Sequence, residues 1–147
     1  MFETSQTIFL VEDDENDVFI FKRSLKKSGL DIQVRLATDG QQAMDMLAAS
    51  GNPANNGESP VPSIVFLDLK LPYHNGFEVL KWLRTQSHLQ STEVVILTGS
   101  EEPRDRRLAD ALGARCYLVK PVSPSEILGV FEALRANSDE QAGTFRR

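Results

Sequence analysis

A single cysteine, Cys116, excludes an internal disulfide and fits a reducing compartment, so a cytoplasmic location is expected. No apolar run approaches the roughly 20 residues of a membrane span, and the N-terminus has no basic segment leading into an apolar one. Membrane insertion and a secretory leader are therefore not expected. Basic residues are not in excess: 16 Lys and Arg against 21 Asp and Glu leave a net charge of -5, which offers no basis for direct binding of nucleic acid or a membrane surface. The two histidines, His74 and His88, lack ligand-like spacing to other metal-binding residues, and no internal repeat is visible. A chain of 147 residues that is 41% hydrophobic and 25% charged reads as one soluble domain with a sizeable core. The acidic excess is uneven. Part of it is concentrated in Glu12 to Asp17, which points to local chemistry rather than general solubility.

Thr7 to Val11 is a short β-prone run, apolar on both faces. From Asp17 to Lys27 the spacing turns helical, with Val18, Ile20, Phe21 and Leu25 on one broad side, and Gly29 closes the segment. Ile32 to Leu36 alternates as a strand near a sheet edge does, and Gln41 to Ala49 reads as a helix. Ser50 to Pro60, rich in Gly, Asn, Pro and Ser, is a long loop. Strands are expected at Ile64 to Leu67, Glu93 to Leu97 and Arg115 to Val119, and helices at Phe77 to Arg84 and Arg104 to Leu112. A capping box, Ser123-Pro124-Ser125-Glu126, opens a last helix expected to run to about Arg135. Strands alternating with helices call for a parallel sheet covered on both faces, in which ligands bind beyond the carboxyl ends of the strands. The Ser50 to Pro60 loop follows a helix and should lie at the opposite pole.

Four polar stations fall at the strand ends that matter. Glu12-Asp13-Asp14 follow the first strand, Asp68 the third, Thr98 the fourth and Lys120-Pro121 the fifth. A lone carboxylate on the lip of a buried strand is costly to desolvate unless something uses it. Asp68 as a structural acid would cap Asn75-Gly76 or a nearby turn; as a nucleophile its carboxylate would attack phosphorus and form a mixed anhydride. Such a transfer needs alignment and neutralisation of the three equatorial oxygens. The acidic cluster suits a hard divalent cation such as magnesium, which takes oxygen ligands. Lys120 is suited to meet one phosphoryl oxygen as a compact point charge, and the Thr98 hydroxyl to donate to another. Each residue alone is a weak signal; in this order on successive strands they are strong together. A flavin carrier of the same fold class would need a phosphate cradle where Glu12-Asp13-Asp14 would repel one. An aspartyl-nucleophile phosphatase would need an acid where Lys70 stands.

Val11-Glu12-Asp13-Asp14, Phe66-Leu67-Asp68-Leu69-Lys70-Leu71-Pro72, Gly76, Leu97-Thr98-Gly99 and Tyr117-Leu118-Val119-Lys120-Pro121 together resemble the receiver domain of response regulators in two-component signalling. The resemblance covers Thr7 to Leu134. It implies a three-layer, doubly wound, flavodoxin-like fold with a five-stranded parallel sheet of order 2-1-3-4-5. It further implies Asp68 as phosphoacceptor, and Glu12, Asp13, Asp68 and the Lys70 backbone carbonyl as the protein's share of a Mg2+ shell, with Mn2+ or Ca2+ as substitutes. Thr98 would be the switch hydroxyl, Lys120 the phosphate-pairing lysine and Tyr117 the aromatic that turns inward on activation; Lys120-Pro121 is a candidate cis peptide. Asp14 stands where many relatives have asparagine, an added acid that either strengthens cation binding slightly or does nothing.

The Val-Glu-Asp start, the long loop and Cys116-Tyr117 resemble a narrower group, the stand-alone receivers that work with bacterial and cyanobacterial phytochromes. On this resemblance a sensor histidine kinase, a bacteriophytochrome among the candidates, is the phosphoryl donor, and a homodimer is a candidate assembly. The expected organisation is a receiver domain over residues 5–136 and a short polar tail over 137–147 with no output domain. Such a protein catalyses only its own phosphorylation and dephosphorylation; the alternative role is a phosphorelay intermediate or phosphate sink. Phe19, opposite the apolar side of the first helix, is a partner-contact candidate. Arg104, Arg106 and Arg107 are expected to be a solvated helix start, the alternative being that they answer acids across a homodimer, and Trp82 and Cys116 are expected to be packing residues.

Overall fold

The computed structural model describes residues 7–55, 57 and 59–143, with 136–143 as backbone. Positions 5 and 6, loop positions 56 and 58, and tail positions 144–147 lie outside the described residues. The order of elements is β1 (Thr7–Val11), α1 (Glu15–Lys27), β2 (Gln33–Ala37), α2 (Gly40–Ala49), β3 (Ile64–Leu67), α3 (Gly76–Arg84), β4 (Glu93–Thr98), α4 (Pro103–Ala111), β5 (Cys116–Val119) and α5 (Pro124–Gly143). Among the described residues the sheet has five strands in the order β2-β1-β3-β4-β5, every pair parallel. This is the expected flavodoxin-like architecture.

The apolar-on-both-faces reading of β1 is explained by two cores. Phe9 and Val11 join Val65, Leu67, Val94 and Ile96 on the face that packs α2 and α3 through Ala43, Leu47, Val79, Leu80 and Leu83. Ile8 and Leu10 join Ile64, Phe66, Val95 and Leu97 on the other face, against Phe21 and Leu25 of α1 and Ile127, Val130 and Phe131 of α5. Successive strand residues point to opposite faces, so a strand between two helical layers has no polar side. Phe21 meets Phe66 edge to face, with ring centroids 4.9 Å apart. Full burial of such a side chain contributes about 1.5–3 kcal/mol.

Several boundaries differ from expectation: α2, α3, α4, β5 and the end of β4, which takes in Thr98, shift by a single residue, and three others are instructive. α1 begins at Glu15 rather than Asp17, because the Asp14 carboxylate accepts the backbone N–H groups of Asn16 and Asp17 at 2.8 and 3.1 Å and so caps the helix. β2 is displaced by one residue, to Gln33–Ala37, by its pairing with β1. α5 continues to Gly143, well past Arg135, where a tail was expected. Its start follows the capping box: Ser123 Oγ accepts the Glu126 N–H at 3.1 Å, and the Glu126 carboxylate accepts the Ser123 N–H at 2.9 Å. Gly29 closes the end of α1 with φ of 88°, a left-handed conformation that glycine adopts without penalty.

Register positions the chemistry. Val11 pairs with Ala37 and Leu67, Leu67 with Ile96, and Thr98 with Val119, so the residues that follow each strand emerge along one edge. The chain moves from β1 outward to β2, then back across to β3. Glu12 and Asp68 leave the sheet at that switch point, where a crevice forms in open parallel sheets. The 50–60 loop enters the N-terminal end of β3, the pole away from Asp68, as expected.

Candidate functional site

Asp68 leaves β3 with its backbone N–H donated to the Val11 carbonyl at 3.2 Å, and it is 5% exposed. One carboxylate oxygen accepts the Lys70 N–H at 3.2 Å, and the other lies 2.7 Å from Lys120 Nζ. It does not cap Asn75-Gly76. Asn75 instead forms a reciprocal cap with Glu78 at the start of α3. Gly76 sits directly beneath the Asp68 backbone: a Cβ there would overlap the Asp68 carbonyl oxygen and lie 2.7 Å from Leu69 Cα. The glycine sets how closely α3 approaches the acid.

Glu12 is 2% exposed, and its N–H is donated to the Ala37 carbonyl at 3.0 Å. Asp13 is exposed beside it. Oxygen atoms of Glu12, Asp13 and Asp68 lie within 4.8 Å of one another, the one such group among the described residues. An all-carboxylate set with one exposed member suits a hard divalent cation that keeps water in its shell. Asp14 is not part of this group; helix capping occupies its carboxylate.

Lys120 arrives from the end of β5, its N–H donated to the Thr98 carbonyl at 2.8 Å, and the Lys120-Pro121 peptide, the cis candidate, is cis. Its ammonium contacts Glu12 at 2.6 Å, Asp68 at 2.7 Å and Asp17 at 2.8 Å. Burial alone would favour the neutral amine, but bonds from Asp17, Asp68 and Glu12 outweigh it and hold the lysine more firmly protonated than usual. Burial pushes the Glu12 carboxyl up to about 7; the Lys120 hydrogen bond opposes this and the Asp68 charge adds to it. Asp17 was missed by the sequence reading. It sits three residues beyond the Asp14 cap, in the first turn of α1, and correct placement of that cap would have drawn attention to it.

Thr98 is fully buried, and its hydroxyl has no hydrogen-bond partner among the described residues. Tyr117 is half-buried and packs against the α2–α3 side of the core. Its hydroxyl donates to the Ser100 carbonyl at 3.1 Å, two residues after Thr98, and the Arg106 guanidinium lies 4.5 Å from its ring centroid. Arg106 is exposed at the start of α4, as expected, and adds this ring contact. Phe19 is 64% exposed, facing away from the buried Phe21 and Leu25. His74 and His88 make structural bonds, to Gln41 Oε1 at 3.1 Å and to the Leu47 carbonyl at 2.9 Å. Trp82 and Cys116 pack against the two cores as expected.

Fold and site together define a receiver domain, and the chain matches the response regulator receiver domain family over residues 8–132 and belongs to it. The chain is similar to the alkaline phosphatase synthesis transcriptional regulatory protein PhoP of Bacillus subtilis, 31% identical over 135 residues, 92% of this chain and 50% of that protein. It thus spans about half the length of that curated relative. Response regulator Rcp1 of Synechocystis sp. is 31% identical over 131 residues, 89% of this chain and 87% of Rcp1. The solved Mn(2+)-bound form of Rcp1 matches with a TM-score of 0.69 at 30% identity, covering 96% of this chain and 97% of that one. The bacteriophytochrome response regulator AtBRR matches with a TM-score of 0.76 at 34% identity, covering 97% and 96%. The resemblance to receivers associated with phytochromes is borne out by these relatives. No helix among the described residues is long and apolar enough to cross a membrane.

Proposed function

We propose that this chain is a response regulator that accepts a phosphoryl group on Asp68 from the phosphohistidine of a sensor kinase, a bacteriophytochrome being the favoured donor. The observation that carries the reading is the convergence on Asp68 of a protonated lysine at 2.7 Å and two further carboxylates within ligand distance of one another. In the transfer the Asp68 carboxylate forms a P–O bond as the P–N bond of the phosphohistidine breaks, and the imidazole nitrogen leaves with the electron pair. Lys120 meets one equatorial oxygen. Glu12, Asp13, Asp68 and the Lys70 carbonyl are the groups that would hold Mg2+, which supplies neutralising charge to the phosphoryl oxygens.

The Thr98 hydroxyl supports a switch: a buried O–H without an acceptor gains a bond if β4's end moves toward a phosphoryl oxygen. That motion displaces Ser100, whose carbonyl holds the Tyr117 hydroxyl, and so shifts the surface around α4 and β5. The output is a change in partner or self-association, homodimerisation included, in the cytoplasm. Incubation with phosphorylated kinase and Mg2+ tests the assignment. Wild type becomes labelled, while Asp68→Asn, folded by circular dichroism, does not. Labelling of that variant at the wild-type level sinks the proposal.

A further inference from the structure

The Lys120 ammonium donates to Asp17 at 2.8 Å and Asp68 at 2.7 Å, and pairs with the Glu12 carboxylate at 2.6 Å. Those acceptors are not equivalent. Glu12 and Asp68 belong to the group whose oxygens converge with Asp13, whereas Asp17 lies outside it. Asp17 stands on the first turn of α1, its N–H fixed by the Asp14 cap at 3.1 Å, so its position depends on the helix and not on the acidic crevice. Its side chain is 31% exposed against 2% for Glu12 and 7% for Asp68.

We propose that Asp17 is a positioning residue for Lys120, retaining the ammonium beside Asp68 when a divalent cation draws on the Glu12, Asp13 and Asp68 carboxylates. This rests on reading those three acids as a cation site. A dication and an ammonium compete for the same oxygens and repel one another. A lysine on a flexible four-carbon stem then swings toward water unless another carboxylate holds it. Among the described residues, Asp17 is the one carboxylate paired with the Lys120 ammonium that lies outside that group. Without it, Lys120 must either stay on Glu12 and Asp68, opposing the cation, or leave the site where a phosphoryl oxygen would need it.

The first test follows the Lys120 ammonium resonance by NMR, since a clamped, hydrogen-bonded ammonium exchanges slowly with water. In wild type the signal persists on saturation with Mg2+. In Asp17→Asn, an exchange near the surface that leaves the cores untouched, it persists without Mg2+ and broadens away when Mg2+ is added. Loss of the wild-type signal on saturation, or equal persistence in both proteins, overturns the proposal. The second test is a double-mutant cycle read by calorimetric Mg2+ titration. Asp17→Asn weakens Mg2+ binding about threefold to tenfold in the wild-type background, as a partly exposed charged hydrogen bond does. With Lys120→Met the same change costs under about twofold, because only a screened charge is then lost. An undiminished effect in the Lys120→Met background overturns the proposal while leaving the cation site standing. Failure of wild type to bind Mg2+ overturns both.

Discussion

Replacing Lys120 by methionine keeps much of the apolar stem and removes the ammonium from three carboxylates at 2.6, 2.7 and 2.8 Å. Glu12 and Asp68, 2% and 5% exposed, are then left facing one another without a counter-charge. Removing one partner of a buried ion pair costs about 3–5 kcal/mol, and the more exposed Asp17 adds little. At about 2–4 °C per kcal/mol for a chain of this size, the melting temperature falls by roughly 10 °C. Two conditions relieve the cost. The folded-state pKa of Glu12 is raised, to about 7 even with Lys120 in place, so its protonated form favours the fold. Stability from that group is present below the ordinary carboxyl range and is lost as pH rises through 7; in Lys120→Met the loss grows, and the variant regains stability from pH 8 to pH 6. Mg2+ at 100 times the variant's dissociation constant adds about 2.7 kcal/mol to the variant at fixed pH, and the same Mg2+ concentration adds less to wild type, where the cation meets an ammonium already on its ligands and binds more weakly. Urea unfolding of both proteins, in chelator and in Mg2+, at pH 8 and pH 6, measures each quantity. A loss below about 1 kcal/mol in chelator at pH 8, or equal stabilisation of both proteins by Mg2+, refutes the reasoning.

Thr98→Val keeps the side chain's shape and deletes a buried hydroxyl that has no partner among the described residues, so its stability equals or exceeds that of wild type by about 1 kcal/mol. The same variant loses the phosphorylation-dependent change around Tyr117, read as the difference in Tyr117 resonances with and without a small phosphoryl donor. Destabilisation by more than about 1 kcal/mol would reveal a partner for the hydroxyl and count against the switch. Gly76→Ala places a methyl against the Asp68 backbone, costs about 1–3 kcal/mol by overpacking, and slows labelling of Asp68 as α3 is pushed away. Unchanged melting and labelling would show that the close approach is not required.

The strands were legible because β1, β3 and β4 are apolar on both faces, which only a sheet between two helical layers demands. The end of α1 and the start of α5 were legible because their chemistry is local: Gly29 supplies a positive φ, and Ser123 and Glu126 cap one another across three residues. The start of α1 was misplaced by two residues for a related reason. An aspartate in an acidic cluster can ligate a cation or cap a helix, and only backbone geometry shows that Asp14 caps. The contact of the exposed Arg106 with the Tyr117 ring is not legible in its own segment, because the ring is brought in by the next strand.

The sequence by itself determined which chemical groups reach the working edge of the sheet. In a parallel sheet with helical crossovers every strand points the same way, so whatever follows each strand must gather at one pole. It therefore specified Glu12, Asp13, Asp68, Thr98 and Lys120 as neighbours. The tertiary structure alone decided how those groups pair. Lys120 bonds to Asp17, 103 residues away, the Thr98 hydroxyl has no partner among the described residues, and burial pushes the Glu12 carboxyl up to about 7. Pairing of charges depends on distances of a few ångström between side chains from different loops, and on how much water those loops exclude. Strand order and register set both.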